Sequence, residues 1–186
     1  MINYTQRFFV NIITNMSKRE FKKYIKDLKK SQLEIHLFDL YERFSNVKEF
    51  YDFAFNPNEE KLVREAKFKI ANEFFPSNQR KAKMRRSVAQ KIIKHFITLG
   101  VDIFIISDIM LYTIEIAQSF SSSKSIKNDA FYKSILLSYR QSIHYMVEHS
   151  ILNDNLDRVV AIKNEALIQD WSNKNEFVVL AQQFDY

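Results

Sequence analysis

A single glycine, Gly100, and two prolines, Pro57 and Pro76, leave this chain of 186 residues little material for the tight turns that join β-strands. The common hairpin turns need positive φ angles, which glycine adopts most readily. Helices, in contrast, can be started by Ser, Asn or Asp at the N-cap. The scarcity of glycine and proline therefore predicts an all-α fold without a sheet, an array of roughly seven to nine helices in antiparallel hairpins around one core.

The stretch from Lys83 to Leu99, directly before Gly100, has the periodicity of a helix packed on a core. Gly100 suits the left-handed position that ends a helix, and Asp102 can cap the next helix, from Ile103 to about Phe120. A turn this short predicts a helical hairpin at the centre of the chain. The apolar face of the first helix comprises Val88, Ala89, Ile92, Ile93, Phe96 and Ile97, and the opposite face carries Lys83, Ser87, Gln90, Lys91 and Lys94.

Capping signals predict the other helices. Three capping boxes are expected, in which a Ser or Asn stands three residues before a Glu: Ser17 with Glu20, Ser31 with Glu34, and Asn46 with Glu49. A further helix is expected between Asn58 and Pro76, and the serine-rich residues 121–128 are expected to form a linker. The remaining helices are expected at about 129–150, 156–169 and 176–183.

The length suits one domain, and we expect residues 16–186 to form a single helical domain. Because the box at Ser17 follows Met16 directly, residues 1–15 are expected to be a peripheral extension or a mis-assigned start. The chain has no cysteine, which excludes disulfides and thiol catalysis. No uninterrupted apolar run reaches the roughly 18 residues of a membrane-spanning helix. We therefore expect a soluble, cytoplasmic protein without a membrane partner.

Basic residues cluster in two segments of the chain. Residues 1–30 carry eight Lys or Arg against two acids, and residues 76–101 carry seven Lys or Arg and no acid. The intervening and following segments are mildly acidic, although the whole chain has a net charge of +6. Clusters of this kind are typical of surfaces that bind polyanions.

Four stretches resemble a family of small bacterial proteins known as a domain of unknown function, number sixty-one fifty-five. The resemblance covers residues 16 to about 171 and implies no activity and no particular binding or catalytic residue. Where relatives tend to have a proline after the position of Asp102, this chain has Ile103. The stretches are SKREFKKY from Ser17, DLYERFSNVKEFYDFAFNP from Asp39, RSVAQKIIKHFITLGVD from Arg86 and MLYTIEIAQ from Met110.

Sequence patterns of known chemistry are missing. With one glycine the chain cannot form a phosphate-binding glycine loop, and the four histidines lack the spacing of metal ligands. We expect no metal, no cofactor and no catalytic residue. The one polar stripe on the otherwise apolar helix after Gly100 consists of Asp108, Glu115 and Ser119. It is expected to face solvent or to pair with Arg85, Arg86 or His95.

Two functions remain open, with an enzyme of unrecognised site as a distant third. The first is a non-enzymatic protein that binds RNA or DNA without sequence specificity, through phosphate contacts from basic helix faces. The alternative is a protein–protein adaptor with a curved helical surface and an acidic protein partner. The candidate polyanion-binding residues are Lys18, Arg19, Lys22 and Lys26 in residues 18–30, and Arg80, Lys83, Lys91 and Lys94 in residues 80–94. Whether the two groups share one face is left open.

Overall fold

The computed structural model describes residues 16–77, 80–124 and 126–183, and within them it contains nine α-helices and no strand. The predicted all-α class and the predicted number of helices are confirmed. A short 3-10 helix, Asn153–Asn155, precedes the eighth α-helix. The helices are α1 (Lys18–Lys26), α2 (Lys30–Arg43), α3 (Ser45–Phe55), α4 (Glu59–Phe74), α5 (Arg86–Leu99), α6 (Ile103–Ser123), α7 (Asp129–Glu148), α8 (Leu156–Ile168) and α9 (Lys174–Gln182).

The chain divides into two compact units, Met1–Asp52 and Phe53–Tyr186. In the described part of the first unit, residues 16–52, no side chain is buried, although the sequence places apolar residues on the faces of α1 and α2. The hydrophobic core lies in the second unit, between Ala66 and Leu180. The expected single domain over residues 16–186 stays a prediction, and residues 1–15 lie outside the described residues.

Helix α6 is the centre of the second unit, because it contacts α4, α5, α7 and α8. Ten of its 21 residues are buried, among them Ile109, Leu111 and Ile114. Helix α9 packs on α7 and α8 and closes the other side of the core with Phe177. Four helices surround α6, so it is apolar on most sides, as expected of a helix inside a core.

By length and composition, α6 is the one described helix that could cross a membrane, with a mean hydropathy of 1.4. Of the apolar window that meets this criterion, 56% is buried inside the protein. Packing against the neighbouring helices accounts for its apolar character, and Asp108 and Glu115 interrupt the apolar run. Helices in the core of a folded domain commonly share this composition.

The predicted hairpin of α5 and α6 is confirmed. Gly100 ends α5 in the left-handed conformation, with φ of +74°, and its amide donates to the carbonyls of Phe96 and Ile97. The Asp102 side chain then accepts a hydrogen bond of 2.8 Å from the amide of Phe104. The cap therefore forms with Ile103 as the first residue of α6.

The predicted start of the helix before Gly100 is wrong, since α5 begins at Arg86 and not at Lys83. The amides of Lys83 and Met84 donate to the carbonyl of Glu73 in α4, and Met84 has a φ of +51°. Both features remove residues 83 and 84 from the helix. The core face is also narrower than predicted, because Ile97 is 51% exposed and the buried residues are Ala89, Ile93, Phe96 and Leu99.

Of the three predicted capping boxes, only Ser17 with Glu20 is confirmed. Helix α2 begins at Lys30, and the amide of Lys29 donates to the Gln32 side chain, so Ser31 lies inside the helix. Helix α3 begins at Ser45, which places Asn46 inside its first turn. Each of the two helices begins two residues earlier than its predicted box implies, and no side chain among the described residues caps the start of α2. The predicted cap at Asn58 is confirmed, and the cap of α7 is Asn128.

The predicted linker at residues 121–128 is wrong in its first half, since α6 continues to Ser123. The hydroxyls of Ser121, Ser122 and Ser123 each donate to the backbone carbonyl three residues earlier. A serine that bonds back in this way adopts the helical conformation instead of competing with it. The serine run is therefore the last turn of α6.

Candidate functional site

The first group of predicted binding residues lies on α1, which the capping box at Ser17 starts. No residue of α1 is buried, and none of its cations pairs with a carboxylate among the described residues. The side chains of Lys18, Arg19, Lys22 and Lys26 line one shallow depression of about 630 Å³ together with Lys23. The structure thus brings the four predicted residues of the first unit together.

In the second basic segment, two of the cations are hydrogen-bonded to other side chains of the protein. The guanidinium of Arg85 donates to both carboxylate oxygens of Glu73, at 2.8 and 2.7 Å. These hydrogen bonds lower the pKa of Glu73 below its ordinary value. Arg86 donates to Ser138 of α7 at 2.9 Å and to Gln141, and burial lowers the pKa of Arg86. Both arginines therefore have partners within the protein, although the Arg85 side chain is 52% exposed.

The other cations of this segment are exposed. Arg80 and Lys83 lie before α5, while Lys91 and Lys94 lie on α5 itself. Lys83 is close enough to Glu73 to contribute to the lowered pKa of that carboxyl. None of the four forms an ion pair within the part of the chain that the structure describes. All four predicted residues are therefore free to meet a ligand.

Glu73 fixes the position of residues 80–85, which we call the basic loop. Its backbone carbonyl accepts from the amides of Lys83 and Met84 at 3.0 Å each. Its carboxylate accepts from the backbone and the side chain of Arg85. A single residue at the end of α4 thus holds a loop that lies about ten positions later in the sequence.

An aromatic cleft, which sequence reasoning missed, lies beside the basic loop, where α4 and α6 end. Its volume is about 480 Å³, within the usual range of ligand sites. The ring of Phe120 meets Phe74 at 5.9 Å and Phe75 at 5.5 Å between centroids, in both cases edge to face. We define the cleft by Phe74, Phe75 and Phe120 together with the cations Arg80, Lys81 and Lys124.

The predicted polar stripe of α6 is an ion-pair network with Arg158 and Lys67, which were not among the predicted partners. Arg158 of α8 donates to both oxygens of Glu115, at 2.8 and 2.9 Å, and to Asp108 at 2.9 Å. Lys67 of α4 pairs with the other oxygen of Asp108 at 2.7 Å. The hydroxyl of Ser119 donates to the backbone carbonyl of Glu115. Arg85 pairs instead with Glu73, and Arg86 with Ser138 and Gln141.

This network balances two cations against two carboxylates, and hydrogen bonds to Glu115 raise the pKa of Arg158. The network connects α4, α6 and α8, which fits a structural role. Nothing in the sequence near Arg158 signals its partners, because they lie about 40 to 50 positions earlier. Within residues 16–77, 80–124 and 126–183, no three His, Asp or Glu side chains are grouped to hold a metal ion.

The fold and the exposed cations define an all-α protein with a basic surface in each of its two units. The model of a family of unknown function, DUF6155, matches residues 16–185, and the chain belongs to this family. The resemblance seen in the sequence is thereby confirmed. No curated protein and no solved structure matches the chain.

Proposed function

We propose that the protein binds nucleic acid without sequence specificity, through the basic loop and the exposed face of α5. The observation that carries this proposal is the division among the cations of residues 80–94. Arg85 is paired with Glu73 and Arg86 is hydrogen-bonded to α7, whereas Arg80, Lys83, Lys91 and Lys94 are exposed and form no ion pair with described residues. Exposed lysines and arginines can release counterions from a phosphate backbone on binding.

The chemistry of these side chains favours phosphate over bases. Lysine is a compact charge on a flexible stem, and it contacts phosphate without the fixed two-point geometry that reads a base edge. The sequence contains no motif known to read bases in the major groove of DNA. Contacts of this kind give affinity that depends on salt and hardly depends on sequence.

The test is a salt titration of fluorescent RNA and DNA oligonucleotides against the protein and a variant with Arg80→Glu, Lys83→Glu, Lys91→Glu and Lys94→Glu. The logarithm of the affinity should fall linearly with the logarithm of the salt concentration. Each phosphate contact should contribute about 0.9 to the slope on duplex and about 0.7 on single strands. The variant should bind more weakly with a flatter slope. Its helix content should not change, because all four side chains are exposed.

A matched control replaces four cations elsewhere in the same unit, by Lys127→Glu, Lys133→Glu, Arg140→Glu and Lys163→Glu. The net charge changes equally, so a general charge effect would weaken both variants alike. A separate variant with Lys18→Glu, Arg19→Glu, Lys22→Glu and Lys26→Glu measures the contribution of α1. The proposal is wrong if no oligonucleotide binds at about 50 mM salt, where contacts of this kind are strong.

A second function, the protein–protein adaptor, is favoured by the exposed apolar residues of the first unit. Phe21, Ile35, Leu37 and Phe38 are all at least half exposed on α1 and α2. Exposed apolar side chains of this size often mark a protein-binding surface. In a nuclease-treated pull-down from cell extract, an adaptor should retain a protein partner that is lost on Ile35→Ser and Phe38→Ser. Retention of the same partner by that variant would contradict this function.

A further inference from the structure

The aromatic cleft combines apolar rings with cations and has no carboxylate in its lining. Phe74 and Phe120 are almost completely buried and belong to the core. Phe75 contacts Phe120 but remains 45% exposed, so its ring is positioned by the core and still accessible. A ring that is fixed on one side and open on the other is a suitable platform for a planar ligand.

The cations surround these rings. The ammonium of Lys124 lies 4.9 Å from the centroid of Phe120, and Arg80 and Lys81 of the basic loop are exposed and line the same cleft. The cleft lies at the carboxyl ends of α4 and α6, whose partial negative charge repels an anion. Attraction for an anion must therefore come from these three side chains.

We propose that the aromatic cleft binds one unpaired base of a single-stranded nucleic acid, stacked on Phe75, with its flanking phosphates at Arg80, Lys81 and Lys124. This inference rests on the proposed function and specifies its ligand. Base stacking on an aromatic side chain combined with basic groups along the backbone is the usual means of binding single strands without sequence specificity. Bases inside a duplex are already stacked and cannot enter the cleft, so the protein prefers single strands.

The first experiment compares Phe75→Leu with the unchanged protein on a single strand and on a duplex of equal length. Loss of one stacked base is worth about 1–3 kcal/mol, which corresponds to roughly 5- to 150-fold in affinity. We expect this loss on the single strand only, with an unchanged salt slope because the charge is unchanged. The matched control is Phe68→Leu, at a residue of α4 that is 67% exposed and lies outside the cleft.

The second experiment uses the unchanged protein, so it does not depend on the folding of any variant. A single strand in which every base has been removed keeps all its phosphates. The affinity of the unchanged protein for this abasic strand should be about as low as the affinity of Phe75→Leu for the normal strand. Replacement of Lys124 by Gln should lower the salt slope on single strands by about 0.7, because one phosphate contact is lost.

The outcomes separate this inference from the function on which it rests. Salt-dependent binding with equal affinity for single strand, abasic strand and duplex would contradict base binding in the aromatic cleft. It would leave the proposed function intact. The same holds if Phe75→Leu and Phe68→Leu bind alike. No binding of any oligonucleotide would overturn both. Binding of an acidic aromatic peptide in place of the oligonucleotides would assign the cleft to a protein ligand.

Discussion

At the scale of single residues, Arg158 joins α8 to two carboxylates of α6. It bridges Asp108 and Glu115, two carboxylates that lie about two helical turns apart on α6. The bond to Glu115 uses two parallel N–H groups, the geometry in which arginine binds a carboxylate best. Because the arginine side chain is 36% exposed, solvent weakens these attractions.

We expect Arg158→Met to lower the free energy of unfolding by about 1–2 kcal/mol, since two carboxylates then lose their shared cation. The thermal midpoint should fall by about 2–8 °C for a protein of this size. The control is Arg64→Met, at an exposed residue of α4 that forms no ion pair with the described residues. Equal midpoints for the two variants would show that the network adds nothing to stability.

Glu73 gives a dependence of stability on pH. Hydrogen bonds from Arg85 lower its pKa in the folded state below the ordinary glutamate value of 4.5. A lowered pKa contributes stability above the unfolded value, and this contribution disappears as the pH falls through the folded value. Glu73→Gln should therefore be less stable than the unchanged protein at pH 7.

The difference in stability between Glu73→Gln and the unchanged protein should stay constant from pH 7 to about pH 5 and decrease at lower pH. The measurement is chemical denaturation at a series of pH values. A difference that does not change with pH would mean that the carboxylate charge has no part in holding the basic loop.

At the scale of elements, α5 has one buried face and one basic face. Ile93 and Phe96 are buried in the core, and Lys91 is exposed. The helix therefore connects the stability of the second unit to the surface that we propose binds nucleic acid. Its phase decides which substitutions affect folding and which affect binding.

We expect Ile93→Asp to destabilise the protein by about 4 kcal/mol or more, because it places an unpaired charge in the core. Lys91→Asp should have a thermal midpoint within a few degrees of that of the unchanged protein, and it should bind oligonucleotides more weakly. Thermal unfolding followed by circular dichroism compares the two. Similar thermal midpoints for both variants would contradict the assignment of Ile93 to the buried face of α5 and of Lys91 to its exposed face.

At the scale of the whole molecule, the described core belongs entirely to the second unit. Its first member, Ala66, and its last, Leu180, lie on α4 and α9. No residue of the described part of the first unit is buried. The second unit thus contains the apolar burial that drives cooperative folding.

A chain of residues 53–186, which corresponds to the second unit, should fold on its own and unfold in one cooperative transition. It should keep the salt-dependent binding that we assign to the basic loop and α5. Thermal unfolding and the salt titration of this chain provide the check. A broad, non-cooperative transition would show that the second unit needs residues 1–52 to fold.

Local features were predictable from the sequence because they depend on residues within about four positions of each other. The all-α class followed from the scarcity of glycine and proline. The end of α5 at Gly100 and the caps at Ser17, Asn58 and Asp102 followed from single residues with clear conformational preferences.

Features that depend on packing between distant segments were decided by the tertiary structure. Residues 83 and 84 leave the helical pattern because Glu73, in another helix, accepts their hydrogen bonds. Arg158 meets Asp108 and Glu115 only because α8 packs on α6. The aromatic cleft likewise requires the ends of α4 and α6 to meet beside the basic loop. Caps at helix ends depend on local hydrogen bonding, whereas the start of α5, the partners of Arg158 and the cleft depend on which segments become neighbours.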